Sequence, residues 1–139
     1  MTDHAIATGG CHCGRARFEI TRPMGGFVHC HCRTCRRING TVYGSSAVVA
    51  RDGFRLTTDP ADLTAYEPSP GKQRYFCRHC GAHIYAVKAT APDIVLLRMG
   101  TLDPPFDIRP ERHIWVSHKP DWYAITDDLP QDAEQGSGE

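Results

Sequence analysis

The stretch Gly9-Gly-Cys-His-Cys-Gly-Arg-Ala-Arg-Phe-Glu-Ile-Thr21 joins two different signals. Its first half sets two thiols one residue apart between glycines. Its second half, from Arg15 to Thr21, alternates polar and apolar side chains, the period of a strand with one buried face. A thiol-bearing turn therefore feeds straight into a β-strand. Similar short β-prone stretches recur at 41–50, 54–58, 63–67, 73–76, 83–87, 94–99, 113–116 and 121–125. Punctuation separates them at Pro23, Gly25-Gly26, Gly40, Pro68, Pro70-Gly71, Pro92, Pro104-Pro105 and Pro110. No window of a dozen residues keeps a helical period, and one short helical turn after Cys32 is all that is expected. The pattern predicts an all-β fold of sandwich or barrel type.

The chain has 139 residues, enough for one domain, expected over 1–130. Residues 131–139 are acidic, contain Gly and Ser, and are expected to form a disordered tail. Sixteen basic side chains balance sixteen acidic ones, which argues against a dedicated nucleic-acid binder. The balance is uneven along the chain: eight arginines against Asp3, Glu19 and Asp52 leave residues 1–55 at +5. The longest apolar runs, such as Ala47–Ala50 and Ile94–Leu97, are far too short to span a membrane as a helix. Residues 1–8 carry neither a basic flank nor an apolar stretch, so no signal peptide is expected and the cytosol is the expected location.

The seven cysteines fall into Cys11-His-Cys13, Cys30-His-Cys32-Arg-Thr-Cys35 and Cys77-Arg-His-Cys80. Thiols one or two residues apart make poor mutual disulfides but can reach a single ion, and zinc accepts thiolates in a tetrahedron. Seven divides into four plus three: a closed structural site and a site with one position left for a ligand. Gly14 and Gly81 follow the second thiol of two groups, which pairs Cys11 and Cys13 with Cys77 and Cys80. Cys30, Cys32 and Cys35 then form the second site, flanked by Arg33, Arg36 and Arg37 and interleaved with His29 and His31. Two other pairings stay open at this point. Cys32 and Cys35 could join Cys77 and Cys80 in a ribbon, or His29 or His31 could close the second site. His113, Trp115, His118 and Trp122 read as pocket lining or as packing, and His79 and His83 flank the third thiol group.

These motifs resemble one known family. Gly9-Gly-Cys-His-Cys-Gly14, Cys30-His-Cys-Arg-Thr-Cys-Arg36 and Phe76-Cys-Arg-His-Cys-Gly81 are similar to the glutathione-dependent formaldehyde-activating enzymes, also called the centromere protein V domain family. Gly100-Thr-Leu-Asp103, Pro110-x-x-His113-Ile, Lys119, Trp122 and Asp128-Leu-Pro130 agree with it. The resemblance implies a β-tent of small antiparallel sheets and two zinc ions. It implies a structural zinc on Cys11, Cys13, Cys77 and Cys80, and an activity-bearing zinc on Cys30, Cys32 and Cys35. The implied reaction is that of a carbon–sulfur lyase forming S-hydroxymethylglutathione from formaldehyde and glutathione. Arg33, Arg36, Arg37, His29 and His31 are the candidates for contacts with such a thiol substrate. A zinc module that binds a protein without catalysis, and a glutathione carrier without turnover, are the alternatives.

Overall fold

The computed structural model describes residues 4–134. Among these residues are ten strands: β1 (Ala7–Gly10), β2 (Arg17–Ile20), β3 (Gly25–Cys30), β4 (Gly44–Ala50), β5 (Phe54–Leu56), β6 (Leu63–Ser69), β7 (Lys72–Cys77), β8 (His83–Lys88), β9 (Ala91–Arg98) and β10 (Arg112–Ile114). There is one α-helix, α1 (Arg33–Asn39). The all-β expectation is met. No helix among the described residues is long and apolar enough to cross a membrane. The described residues form two compact units, 4–25 with 47–107, and 26–46 with 108–134.

In the first unit, β1, β2 and β5 form an antiparallel sheet in the order β1-β2-β5. The alternation read at 15–21 holds: Phe18 and Ile20 are buried while Arg17 and Glu19, which alternate with them, are half-buried. A second set of strands runs in the order β4-β9-β8-β7-β6, with β6 to β9 joined antiparallel. Ile84, Ala86, Leu97 and Val49 are fully buried in this unit. β1 was not expected, because Ala7-Thr-Gly-Gly10 has little strand propensity of its own. It forms through its pairing with β2, from Ala7 opposite Ile20 to Gly10 opposite Arg17.

In the second unit, β3 lies between β10 and the start of β4. The β3–β10 pair is parallel, which departs from the all-antiparallel arrangement the resemblance implied. Its register sets His29 opposite His113 and Cys30 opposite Ile114. β3 was hidden in the sequence because Gly25-Gly26 reads as a turn. Helix α1 runs for two turns where one was expected. Cys32 caps its start by accepting the Cys35 N–H, and Gly40 stops it in the left-handed region.

The strand expected at 121–125 does not form. Lys119 Nζ donates to the carbonyls of Pro120 and Tyr123, and Tyr123 N–H bonds to Pro120 O, so the backbone closes a turn instead. Of the acidic tail, residues 131–134 run beside β10: Gln131 bridges His113, and Asp132, Ala133 and Glu134 carbonyls accept from Val116, Ser117 and Trp115. Residues 135–139 lie outside the described residues.

Candidate functional site

Two sets of sulfurs come together, and their membership settles the pairing left open by the sequence. The ligand atoms of Cys11, Cys13, Cys77 and Cys80 all lie within 4.8 Å of one another, and so do those of Cys30, Cys32 and Cys35. No histidine or carboxylate among the described residues joins either set within that distance. The ribbon pairing of Cys32 and Cys35 with Cys77 and Cys80 is therefore not formed, and neither His29 nor His31 sits among the three sulfurs. All seven thiols are free of disulfides.

In the first unit the two thiol turns share one design. Gly14 and Gly81 have φ of 82° and 80°, a region that costs other residues strain. Each returns its N–H to the first cysteine's carbonyl, Gly14 to Cys11 O at 3.3 Å and Gly81 to Cys77 O at 2.8 Å. Cys11 Sγ stands 3.6 Å from Cys13 Sγ, which stands 3.7 Å from Cys77 Sγ. Sulfurs each about 2.3 Å from a tetrahedral zinc lie roughly 3.8 Å apart, so the donor set fits that ion. Backbone N–H groups of Ala16 and His79 point at Cys11 Sγ and Cys77 Sγ, 3.3 and 3.4 Å away. The Ala82 N–H holds Cys80 down to about 6. An imidazole clasps the two turns from outside. Arg15 Nη1 donates to His79 Nδ1 at 2.8 Å, and His79 Nε2 reaches Asp62 at 2.7 Å.

In the second unit, Cys30 ends β3, Cys32 caps α1 and Cys35 lies in its first turn, all three buried. Ile114 covers them, with Val28 and Trp115 packed alongside. Trp115 adopts φ 57°, an uncommon conformation for a bulky residue, at the point where β10 hands over to the next turn. Hydrogen bonds from Cys30 and Cys35, joined by the N–H groups of Cys35 and Thr34, hold Cys32 down to about 2. The same sharing with Cys32 and Cys35 pushes Cys30 strongly up. One negative charge is thus welcome among the three sulfurs and further ones are opposed, unless a cation neutralises them. A thiolate-loving metal ion is the group that fits.

Beside the trio stands a chain of rings that sequence reading only half found. His31, fully buried, has its Nε2 2.8 Å from His113 Nδ1. His113, also fully buried, has its Nε2 3.0 and 3.1 Å from the two oxygens of Asp127. His29 Nδ1 lies 2.8 Å from Ser45 Oγ. Tyr43 packs on His29, His31 and His113, and Tyr123 packs on His31. Burial pushes His31 down to about 4, and the neighbouring His113, His29, Lys119 and Arg36 add to the shift. Burial and then His113 also lower His29, while the hydrogen bond from His113 lowers Asp127. Of the other expected contacts, Arg33 and Arg37 are exposed on α1 and Arg36 is half-buried. His118 Nδ1 receives the Arg33 N–H at 3.4 Å, and Trp122 is exposed. Tyr43, Ser45, Tyr123 and Asp127 were missed. Nothing local distinguishes them, and only the β3–β10 register and the return of residues 130–132 along β10 bring Asp127 to His113.

The family model described as "Glutathione-dependent formaldehyde-activating enzyme" matches residues 6–118. The chain belongs to this family. The match takes in both sulfur sets and His113. A Penicillium rubens protein named "Putative glutathione-dependent formaldehyde-activating enzyme" is 31% identical over 78 residues, 54% of this chain and 40% of that one. An Emericella nidulans protein of the same name is 30% identical over 78 residues, 54% of this chain and 39% of its own length. The matched segment thus spans about two fifths of these curated relatives. A Rhodobacter sphaeroides protein of known crystal structure shares the fold, with a TM-score of 0.59 at 22% identity over 71% of this chain and 90% of that one.

Proposed function

We propose that the protein is a zinc-dependent carbon–sulfur lyase. It joins formaldehyde to a glutathione-like thiol to give the S-hydroxymethyl thiol, and catalyses the reverse cleavage. The observation that carries this reading is the convergence of Cys30, Cys32 and Cys35 as a buried group of three rather than four. In a protein whose family is described by glutathione and formaldehyde, a three-thiolate donor set is suited to an ion that still accepts a ligand. Zinc bound there supplies Lewis acidity and a lowered thiol pKa at its remaining position. Cys11, Cys13, Cys77 and Cys80 hold a second, structural zinc.

The reaction forms one C–S bond and breaks the carbonyl π bond, while one proton leaves sulfur and one arrives at oxygen. His29 and His31 are the side chains placed to handle that proton, both held neutral by burial. Arg33, Arg36 and Arg37 on α1 offer charge-assisted hydrogen bonds to the carboxylates of a glutathione-like substrate. The reading places the protein in a reducing compartment, the cytosol, where all seven thiols stay available.

The test is metal analysis at neutral pH without chelator, alongside exchange spectroscopy of glutathione with formaldehyde. Two zinc ions per chain and faster exchange than in buffer are expected. Bound glutathione with no acceleration would make the protein a carrier. Zinc without any glutathione binding would make it a non-catalytic module.

A further inference from the structure

Cys35 is held from three sides, and one of them works because it lacks a side chain. The Cys35 N–H points at Cys32 Sγ, 3.3 Å away, and the Cys35 carbonyl accepts from Asn39 Nδ2 at 2.9 Å. A carbonyl can only accept, so the nitrogen of the Asn39 amide is the end that faces it. The third side is Gly44, buried at the start of β4. Gly44 does not adopt the left-handed region, so what a glycine supplies there is close approach rather than conformational freedom. A Cβ built on it would stand 2.9 Å from Asn39 Nδ2, 3.4 Å from Cys35 Cβ and 3.7 Å from Cys35 Sγ. The first distance is shorter than Cβ atoms tolerate. The amide would have to move, and it is tied to the Cys35 carbonyl.

We infer that Asn39 and Gly44 are positioning residues for the three-sulfur site. Together they fix Cys35 Sγ where it shares one metal ion with Cys30 and Cys32, and neither is itself a ligand. The inference rests on the zinc reading of this trio and not on the lyase chemistry assigned to it. Groups that orient metal ligands from behind set affinity strongly, by about 10- to 100-fold when they are removed. Asn39 clamps the helix side of Cys35 through the backbone, and Gly44 lets the first residue of β4 lie flat against the same side chain. The effect is specific to one ion. Asn39, Gly44 and the three sulfurs belong to the second unit, whereas the four-sulfur set belongs to the first.

The experiment is competition for zinc by a chromophoric chelator on the full-length, zinc-loaded protein. It is repeated with cobalt(II), whose visible bands report the geometry of its thiolates. Gly44→Ala and Asn39→Ala should each weaken one of the two zinc ions by about 10- to 100-fold, leave the other unchanged and alter the cobalt bands of that site only. The double variant should lose clearly less than the product of the two single effects, because both changes remove the same support. Gly25→Ala is the control: it lies at the other end of β3 from Cys30, meets nothing within contact and should disturb neither ion. Unchanged affinity and unchanged cobalt bands in both single variants overturn the inference, whatever the exchange activity. Weakening of both ions together, or an equal loss in Gly25→Ala, also overturns it, since the fold would then be loosened generally. Single effects that multiply fully remove the joint role. If Gly44→Ala does not fold, Asn39→Ala decides alone. One zinc ion in the unmodified protein takes down the metal reading along with the inference. Two ions without accelerated exchange take down only the lyase reading.

Discussion

Arg15 and His79 stand 64 residues apart in sequence and meet at 2.8 Å, guanidinium Nη1 to imidazole Nδ1. A guanidinium only donates, so Nδ1 accepts and the imidazole hydrogen sits on Nε2, facing Asp62 at 2.7 Å. The ring therefore ties the turn after Cys13 to the turn before Cys80 without touching either pair of sulfurs directly. Because the clasp is largely exposed, its value is modest. His79→Ala and Arg15→Ala should each cost about 0.5–1 kcal/mol, a fall in Tm of roughly 2–4 °C at this size. The double variant should lose clearly less than the two single losses added together, since each removes the same contact. Fully additive losses in urea unfolding would show that the two side chains act separately.

Gly9 is tight for a different reason than the glycines that close the thiol turns. A Cβ built there would fall inside contact distance of both the Phe18 ring and the Thr101 carbonyl oxygen. Phe18 is 1% exposed and stacks on Phe54 at 5.3 Å, and the carbonyl is backbone, so neither can yield cheaply. Gly9→Ala should destabilise the protein by about 1–3 kcal/mol, the range for overpacking. Gly14→Ala meets no neighbour and pays only for its positive φ, so it should cost less, about 1 kcal/mol. Urea denaturation of the two variants checks the order.

Much of the site was legible because closely spaced thiols are a local signal. Cys-x-Cys, Cys-x-x-Cys and the glycine after each are short-range facts, and the glycine at both Gly14 and Gly81 correctly pairs the four sulfurs of the first unit. The alternation at Phe18 and Ile20 was legible for the same reason, since burial follows the pleat. What stayed hidden depends on long-range pairing. β1 exists only because β2 accepts it, and β3 is masked by its own glycines. Asp127 has no motif around it and gains meaning only when the chain returns along β10 to His113. The parallel β3–β10 pair cannot be read from either short strand alone.

The two sulfur sets should respond differently to loss of one ligand. Cys80→Ser opens a four-thiolate site that ties Cys11 and Cys13 to Cys77, and metal binding of that kind is coupled to folding. It should release one zinc and cost several kcal/mol, with loss of cooperative unfolding. Cys35→Ser keeps α1 and its Cys32 cap, so it should release the other zinc and abolish exchange activity at a cost of about 1–3 kcal/mol for a poorly matched buried hydroxyl. Zinc content and thermal unfolding of the two variants read the difference. Equal loss of folding in both would reverse the structural and catalytic assignments.

Tyr85 gives a pH dependence away from either sulfur set. It stacks on Tyr75 with centroids 4.6 Å apart and rings 10° from parallel, and Phe54 packs on it at 4.6 Å. Burial pushes its hydroxyl up to about 12, Tyr75 adds to the shift, and Arg51 opposes it. The unfolded chain releases this proton near its ordinary value of about 10, so between pH 10 and 12 the folded state holds more protons than the unfolded one. Stability from this group is therefore fully present below pH 10 and is lost as pH rises through 12. The loss is at most about 2–3 kcal/mol, less whatever water reaches the ring. Tyr85→Phe keeps the stack and removes the proton, so its urea midpoint should fall less steeply over that window than that of the unmodified protein. Parallel slopes in the two proteins would show that Tyr85 ionises as readily folded as unfolded.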